Sequence, residues 1–334
     1  MIRAFTARWL ALVLLAATLP ASAQQRHVLQ HDGIEREYFV HVPDGPAKEN
    51  LPLVVALHGY GNTVERFVSG YALNGHADDN GYIIVYPQGS RFEVAPAPDQ
   101  SFTVTSWNDL AANIPVPEAG PHCTAESFRY PCPPECGECS ACMWTSCYDD
   151  LGFIERVLDE MIAGYPVDPQ RVYLVGVSNG GMMTLRLGCN LSGRFAAIAP
   201  IIGQLAPGHV CGPGADVPML HLAGARDEVV RFDGKPGTAD GFIYTSVAQT
   251  MATWAGALEC DAGPDDWATA ESAAAGLNCS AYAECRVPGH EVVSCIDPEG
   301  GHEWPGQTDG SGRGMDLVWS FFDRYRSAGP DSLE

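Results

Sequence analysis

Lysine is almost missing from this chain. Only Lys48 and Lys235 occur among 334 residues, and 19 Lys and Arg stand against 41 Asp and Glu, a formal net charge of −22. A surface of that sign repels phosphate backbones and anionic lipid, which argues against nucleic acid and membrane as partners. Long apolar runs are also missing once the first 23 residues are passed. No later stretch reaches the roughly 20 apolar residues that a membrane-spanning helix needs. No internal repeat and no second domain are visible.

The N-terminus does hold a short apolar run. Arg3 and Arg8 precede Leu10 to Leu19, and Ala21-Ser22-Ala23 stands before Gln24. A basic start, a run too short to cross a bilayer and a small-x-small site predict an export signal over residues 1–23, cleaved to release a secreted protein. The twelve cysteines all lie beyond it. An even count in an exported chain predicts disulfides, though spacing alone does not fix their pairing.

Hydrophobic residues make up 46% of the chain, enough for a sizeable core. Arg36 to Val42 alternates and predicts a strand at a sheet edge. Leu51 to Leu57 and Tyr82 to Tyr86 are continuous apolar runs closed by His58-Gly59 and Pro87-Gln88-Gly89, the pattern of buried central strands. A helix is expected between them, around Thr63 to Gly75. Residues 91–148 show no clear period and are rich in Pro, Gly and Cys, which predicts a stapled insertion. Ile154, Val157, Leu158, Met161 and Ile162 then recur on one helical face. Val172 to Gly176 reads as a strand, followed by a helix to about Cys189. Further strands are expected near 195–201, 218–222 and 291–296, with helices near 245–258 and 315–325. Strand, helix and strand in alternation imply a parallel sheet with crossovers.

Gly176-Val177-Ser178-Asn179-Gly180 falls between a buried strand and a helix. There the pentapeptide is a nucleophile elbow, with glycines where the turn is too tight for side chains. A serine hydroxyl needs a base, and the base needs an orienting acid. In an α/β-hydrolase the order is Ser, acid, His. Asp227 follows the strand at 218–222 and suits the acid, with Glu228, Asp233 and Asp240 as neighbouring carboxylates. His302 follows the last strand in Gly300-Gly301-His302-Glu303-Trp304-Pro305-Gly306, whereas His290 precedes that strand. Backbone N–H groups of Asn179 and Tyr60, the latter in His58-Gly59-Tyr60-Gly61-Asn62, are expected to form the oxyanion hole. Trp304 and Trp107 are candidate substrate-binding faces.

With these residues placed, the chain resembles the secreted polyhydroxybutyrate depolymerase and feruloyl esterase group, related to carbohydrate esterase family 1. The matching pieces are Leu53 to Gly59, Tyr82 to Gly89, Trp107-Asn108, Asp149 to Ile154, Asp168 to Tyr173, Gly176 to Gly181 and Gly301 to Gly306. The resemblance implies a triad of Ser178, Asp227 and His302. It also implies cleavage of an ester in a hydroxy-acid polymer or in a feruloylated or acetylated polysaccharide. Two features depart from the group. Tyr60 stands where Cys or another small residue is usual, and the segment from Trp107 to Asp149 is longer and richer in Cys.

The expectation is therefore an α/β-hydrolase esterase domain over 24–334 with a Cys-rich insertion at about 91–148. It needs no cofactor, and its partner is a small or polymeric ester. An acetyl xylan or other short-chain esterase is the alternative, followed by a peptidase, an acyltransferase and a non-catalytic binding protein. Cys136, Cys139 and Cys142, each two residues apart, invite a zinc reading beside His122. Export and an even cysteine count favour disulfides and no metal.

Overall fold

The computed structural model describes residues 24–45, 49–97, 100–109, 120–209, 211–212, 215–307 and 310–327. The expected export signal at 1–23 lies outside them. Among the described residues the strands and helices run β1 (Gln25–His31), β2 (Ile34–His41), β3 (Leu51–Leu57), α1 (Val64–Tyr71), α2 (Leu73–Asn80), β4 (Ile83–Pro87), β5 (Ser90–Ala97), β6 (Gln100–Ser106), α3 (Asp150–Gly164), β7 (Val167–Val177), α4 (Asn179–Asn190), β8 (Ala197–Ile201), β9 (Met219–Gly224), α5 (Val247–Ala257), β10 (Ala262–Asp266), α6 (Ala270–Ala275), β11 (Asn278–Ala283), β12 (Val292–Asp297) and α7 (Arg313–Phe322).

Ten strands form one sheet in the order β1-β2-β4-β3-β7-β8-β9-β12-β11-β10. The middle six, β4 to β12, pair parallel, and antiparallel strands flank them on both sides. The architecture is the α/β-hydrolase type expected from the sequence. Side chains alternate across it with period two. On one face Leu53, Val55, Leu57, Val172 and Leu174 pack with Phe153 and Val157 of α3 and Trp254 of α5. On the other, Val54, Ala56, Tyr173 and Val175 pack with Phe67 of α1 and with Phe321 and Phe322 of α7. Both faces are covered, which is why these strands read as unbroken apolar runs rather than alternating ones.

Several expectations need correction. The strand read over Arg36 to Val42 is not at the edge, because β1 lies outside it in full register from Gln25–Val40 to His31–Ile34. The helix expected over 63–75 is two helices, broken where Ala72 takes the left-handed conformation at φ 51°. Residues 91–148 are not irregular throughout, since β5 and β6 form a hairpin. Its signal was present, in the alternation of Phe92 with Val94 and of Phe102 with Val104. β10 and β11 were not foreseen. Gly263 to Asp266 are exposed, so β10 carries no apolar pattern and is held by backbone pairing.

All twelve cysteines are paired. Cys123–Cys142, Cys132–Cys139 and Cys136–Cys147 staple the insertion. Cys189–Cys211, Cys260–Cys285 and Cys279–Cys295 tie the rest. No helix among the described residues is long and apolar enough to cross a membrane.

Candidate active site

The carboxyl ends of the parallel strands carry the candidate residues. Ser178 follows β7, Asp227 follows β9, His302 follows β12 and Tyr60 follows β3. Strand directions alone therefore gather side chains far apart in sequence along one edge, where ligands of open α/β sheets bind.

Ser178 sits at φ 56° and ψ −120°, in a region that non-glycine residues rarely occupy. The turn is held by the Ser178 N–H donating to Ile201 O at 2.9 Å and the Met182 N–H donating to Ser178 O at 2.9 Å. Its glycines are sterically required. A Cβ on Gly176 would overlap the Gly180 carbonyl, and one on Gly180 would overlap the Leu57 carbonyl. The strain thus aims the serine hydroxyl outward, above the start of α4.

His302 Nε2 lies 3.0 Å from Ser178 Oγ, and His302 Nδ1 lies 2.8 Å from Asp227 Oδ2. A carboxylate can only accept, so Nδ1 carries the proton and Nε2 is left free to accept from the serine. Asp227 is nearly fully buried, and its other oxygen accepts from the N–H groups of Val229 and Val230 at 2.8 and 2.9 Å. Those bonds fix the carboxylate without spending the oxygen that faces His302. The neighbouring acids stand outside this relay. Asp233 pairs with Arg231 and Lys235, which pull its carboxyl far below the usual range. Glu228 is exposed. His290 stands 3.5 Å from Asp216, at the opposite end of β12 from His302.

The loop after β3 is built on His58. This fully buried imidazole makes its Nδ1 contact with Gly59 O at 2.8 Å. Its Nε2 accepts from the Gly89 N–H at 2.9 Å and from Gln88 at 2.8 Å. Burial pushes its pKa down to about 4, so it stays neutral and acts as a strut. Asn179 begins α4 directly after Ser178. Its side chain is turned away, accepting from the Trp107 N–H and donating to Trp107 O and Asp109. Only its backbone N–H is left for the role expected of it.

A cavity opens on Ser178 and His302, walled by Tyr60, Tyr130, Trp144, Met182, Val229, Val230, Asp240 and Tyr244. Two tryptophans expected there are elsewhere. Trp107 is fully buried behind the loop, its indole N–H donating to His58 O at 2.8 Å. Trp304 is buried against Tyr71 and lines a separate cleft with Met315 and Pro305. Hydrophobicity explains both positions, because a tryptophan beside a motif is as readily core as contact. Trp144 and Tyr130, from the disulfide-stapled insertion, take the aromatic positions instead. Nothing in the insertion's sequence period indicates which of its side chains turn inward, so neither residue carries a local signal. The described residues hold no group of three or more His, Cys, Asp or Glu placed to bind a metal.

Several proteins similar to this chain are named as esterases. Residues 36–108 match the family model described as esterase PHB depolymerase. A protein of Nocardia uniformis subsp. tsuyamanensis, named Putative esterase NocK, is 30% identical over 290 residues, which cover 83% of this chain and 72% of that one. Feruloyl esterase B of Piromyces equi is 25% identical over 303 residues, covering 87% of this chain but 45% of its own length. The chain thus spans less than half of that relative. Among solved structures, acetyl xylan esterase from Aspergillus awamori superposes with a TM-score of 0.56 at 15% identity, covering 89% of this chain and 99% of that one, which shows a shared fold.

Proposed function

The chain belongs to the esterase PHB depolymerase family, and from that premise we propose that it is an exported serine esterase with Ser178 as nucleophile, His302 as base and Asp227 as orienting acid. The observation that carries this reading is the unbroken hydrogen-bond relay from Ser178 Oγ through His302 to Asp227. In the first half-reaction, His302 Nε2 takes the hydroxyl proton as Ser178 Oγ attacks the ester carbonyl. The negative charge that develops on oxygen is met by the N–H groups of Asn179 and Tyr60. Collapse expels the alcohol, protonated by His302, and leaves an acyl-Ser178. Water then attacks the acyl carbon as His302 takes its proton, the acyl–Oγ bond breaks, and His302 returns the proton to Ser178 Oγ as the acid leaves. Asp227 steadies the imidazolium in both halves.

The proposed substrates are esters of hydroxy-acid polymers or of feruloylated or acetylated polysaccharides. The names of the relatives and the aromatic walls of the cavity support this class. Six disulfides support export, because such bridges persist in oxidising compartments.

The test is Ser178→Ala on a short nitrophenyl ester. Loss of the covalent route should lower kcat at least about 10³-fold in a folded protein. Near-normal turnover would reject Ser178 as nucleophile. Parallel rates on methyl ferulate, the nitrophenyl ester and a hydroxybutyrate polymer would then rank the substrate classes.

A further inference from the structure

The Ser178 cavity contains a carboxylate that the relay does not use. Asp240 lines the same walls as Ser178 and His302. Its Oδ1 accepts from the Phe242 N–H at 3.1 Å, and its Oδ2 accepts from the Tyr130 hydroxyl at 3.2 Å. An ionised carboxylate offers about four acceptor positions, so these two bonds leave it with capacity to spare. Tyr60, Trp144, Met182, Val229 and Val230 are apolar or aromatic, and among the described residues that line the cavity His302 is the one basic side chain, with no Lys or Arg. Burial raises the Asp240 pKa, the mark of a charge that its surroundings solvate poorly.

We infer that Asp240 is a specificity determinant, selecting esters whose acyl or alcohol part carries a hydroxyl and turning away esters that carry a carboxylate. The inference rests on the esterase reading of Ser178 and deepens it. A ligand hydroxyl donating to Asp240 gains a charge-assisted hydrogen bond in a place where water solvates the carboxylate weakly. A ligand carboxylate would bring a second negative charge beside Asp240, with no Lys or Arg among the described wall residues to offset it and with His302 required neutral when it takes the serine proton. On a polyester this favours cleavage away from the acidic chain end. It also discourages released acids from returning to the cavity.

The experiment compares kcat/KM for nitrophenyl butyrate, nitrophenyl 3-hydroxybutyrate and nitrophenyl hemisuccinate. All three share a leaving group and differ at the acyl end. Measurement in about 1 M salt shortens the Debye length to about 3 Å and removes the general repulsion of an acidic surface. The wild-type protein should prefer the hydroxylated ester and handle the hemisuccinate at least tenfold worse than the butyrate. In Asp240→Asn the hemisuccinate-to-butyrate ratio should rise at least tenfold and the preference for the hydroxyl should shrink. Tyr130→Phe keeps the charge and should keep the rejection of hemisuccinate. Equal wild-type rates on hemisuccinate and butyrate would overturn the inference without recourse to any variant. Unchanged ratios in an active Asp240→Asn would overturn it too, while leaving the esterase reading intact. A wild-type protein that hydrolyses none of the three would overturn that reading, and the inference with it.

Discussion

Trp107 links the two halves of the proposed oxyanion hole. Its backbone N–H donates to the Asn179 side chain at 2.8 Å, and its indole N–H donates to His58 O at 2.8 Å. Asn179 carries one proposed donor, and His58 begins the loop that carries the other. The residue after it is held as well, because the Asn108 N–H donates to the buried Asp150 at 2.6 Å and Asp150 pairs with the buried Arg36 at 2.5 Å. Trp107→Phe removes the indole donor and keeps an aromatic ring in most of the space. Small misplacements of donors cost rate rather than affinity, so kcat should fall roughly 10- to 100-fold with KM within about twofold. Steady-state kinetics on a nitrophenyl ester check this. A rise in KM at constant kcat would instead return Trp107 to the substrate-binding role that its sequence position suggested.

At the scale of elements, the insertion is tied both to itself and to the site. Three disulfides close loops within Cys123 to Cys147. Backbone bonds then join it to the loop between Asp227 and α5, from Thr124 N–H to Gly241 O at 2.9 Å and from Phe128 N–H to Asp240 O at 2.8 Å. Trp144 packs with Met182, Val230, Phe242 and Tyr244 in a small apolar cluster beside Ser178. The insertion thus contributes wall, and the relay itself draws nothing from it. Replacing residues 123–147 by a short linker should change the ratio of kcat/KM between bulky and small esters more than about tenfold. Turnover of a small nitrophenyl ester should change less than that ratio. If both substrates lose equally, the insertion is serving stability. The cysteine count made a stapled segment legible in the sequence. Its pairing and its inward aromatics were not, because disulfide geometry depends on backbone proximity that spacing does not encode.

For the whole molecule, pH acts through two opposing effects. Lowering pH from 7 reduces a net charge of −22 and relieves self-repulsion, which favours the compact state. Buried histidines oppose this: burial lowers the pKa of His76, His209 and His290, and acts most strongly on two others. His58 and His221 are fully buried, and burial lowers each pKa to about 4. Unfolded, they titrate near 6.5, so the unfolded chain binds more protons wherever pH lies between these values. Their contribution is complete above about pH 6.5 and is lost as pH falls towards 4, by roughly 3 kcal/mol each on the arithmetic of pKa shifts. High salt screens the surface term and leaves the buried one. Urea midpoints in about 1 M salt should therefore decline from pH 7 to pH 4.5, and His221→Gln should flatten that decline. A midpoint that holds constant over this interval would show that neither histidine is protonated only on unfolding.

The sequence by itself determined the sheet's buried strands, the tight turn at Ser178 and the chain order of the proposed nucleophile, acid and base. Each is written locally, in apolar runs, in glycines that a tight turn demands, and in residues that follow strand ends. Tertiary structure decided what depends on distant neighbours. It divided the carboxylates after β9, burying Asp227 beside His302, engaging Asp233 with Arg231 and Lys235, and leaving Asp240 in the cavity wall. It sent Trp107 and Trp304 inward and brought Trp144 and Tyr130 to the cavity. It added β10, an exposed strand with no apolar pattern to announce it. Burial and contact are set by packing between segments far apart in the chain, and a residue's type constrains that packing without choosing it.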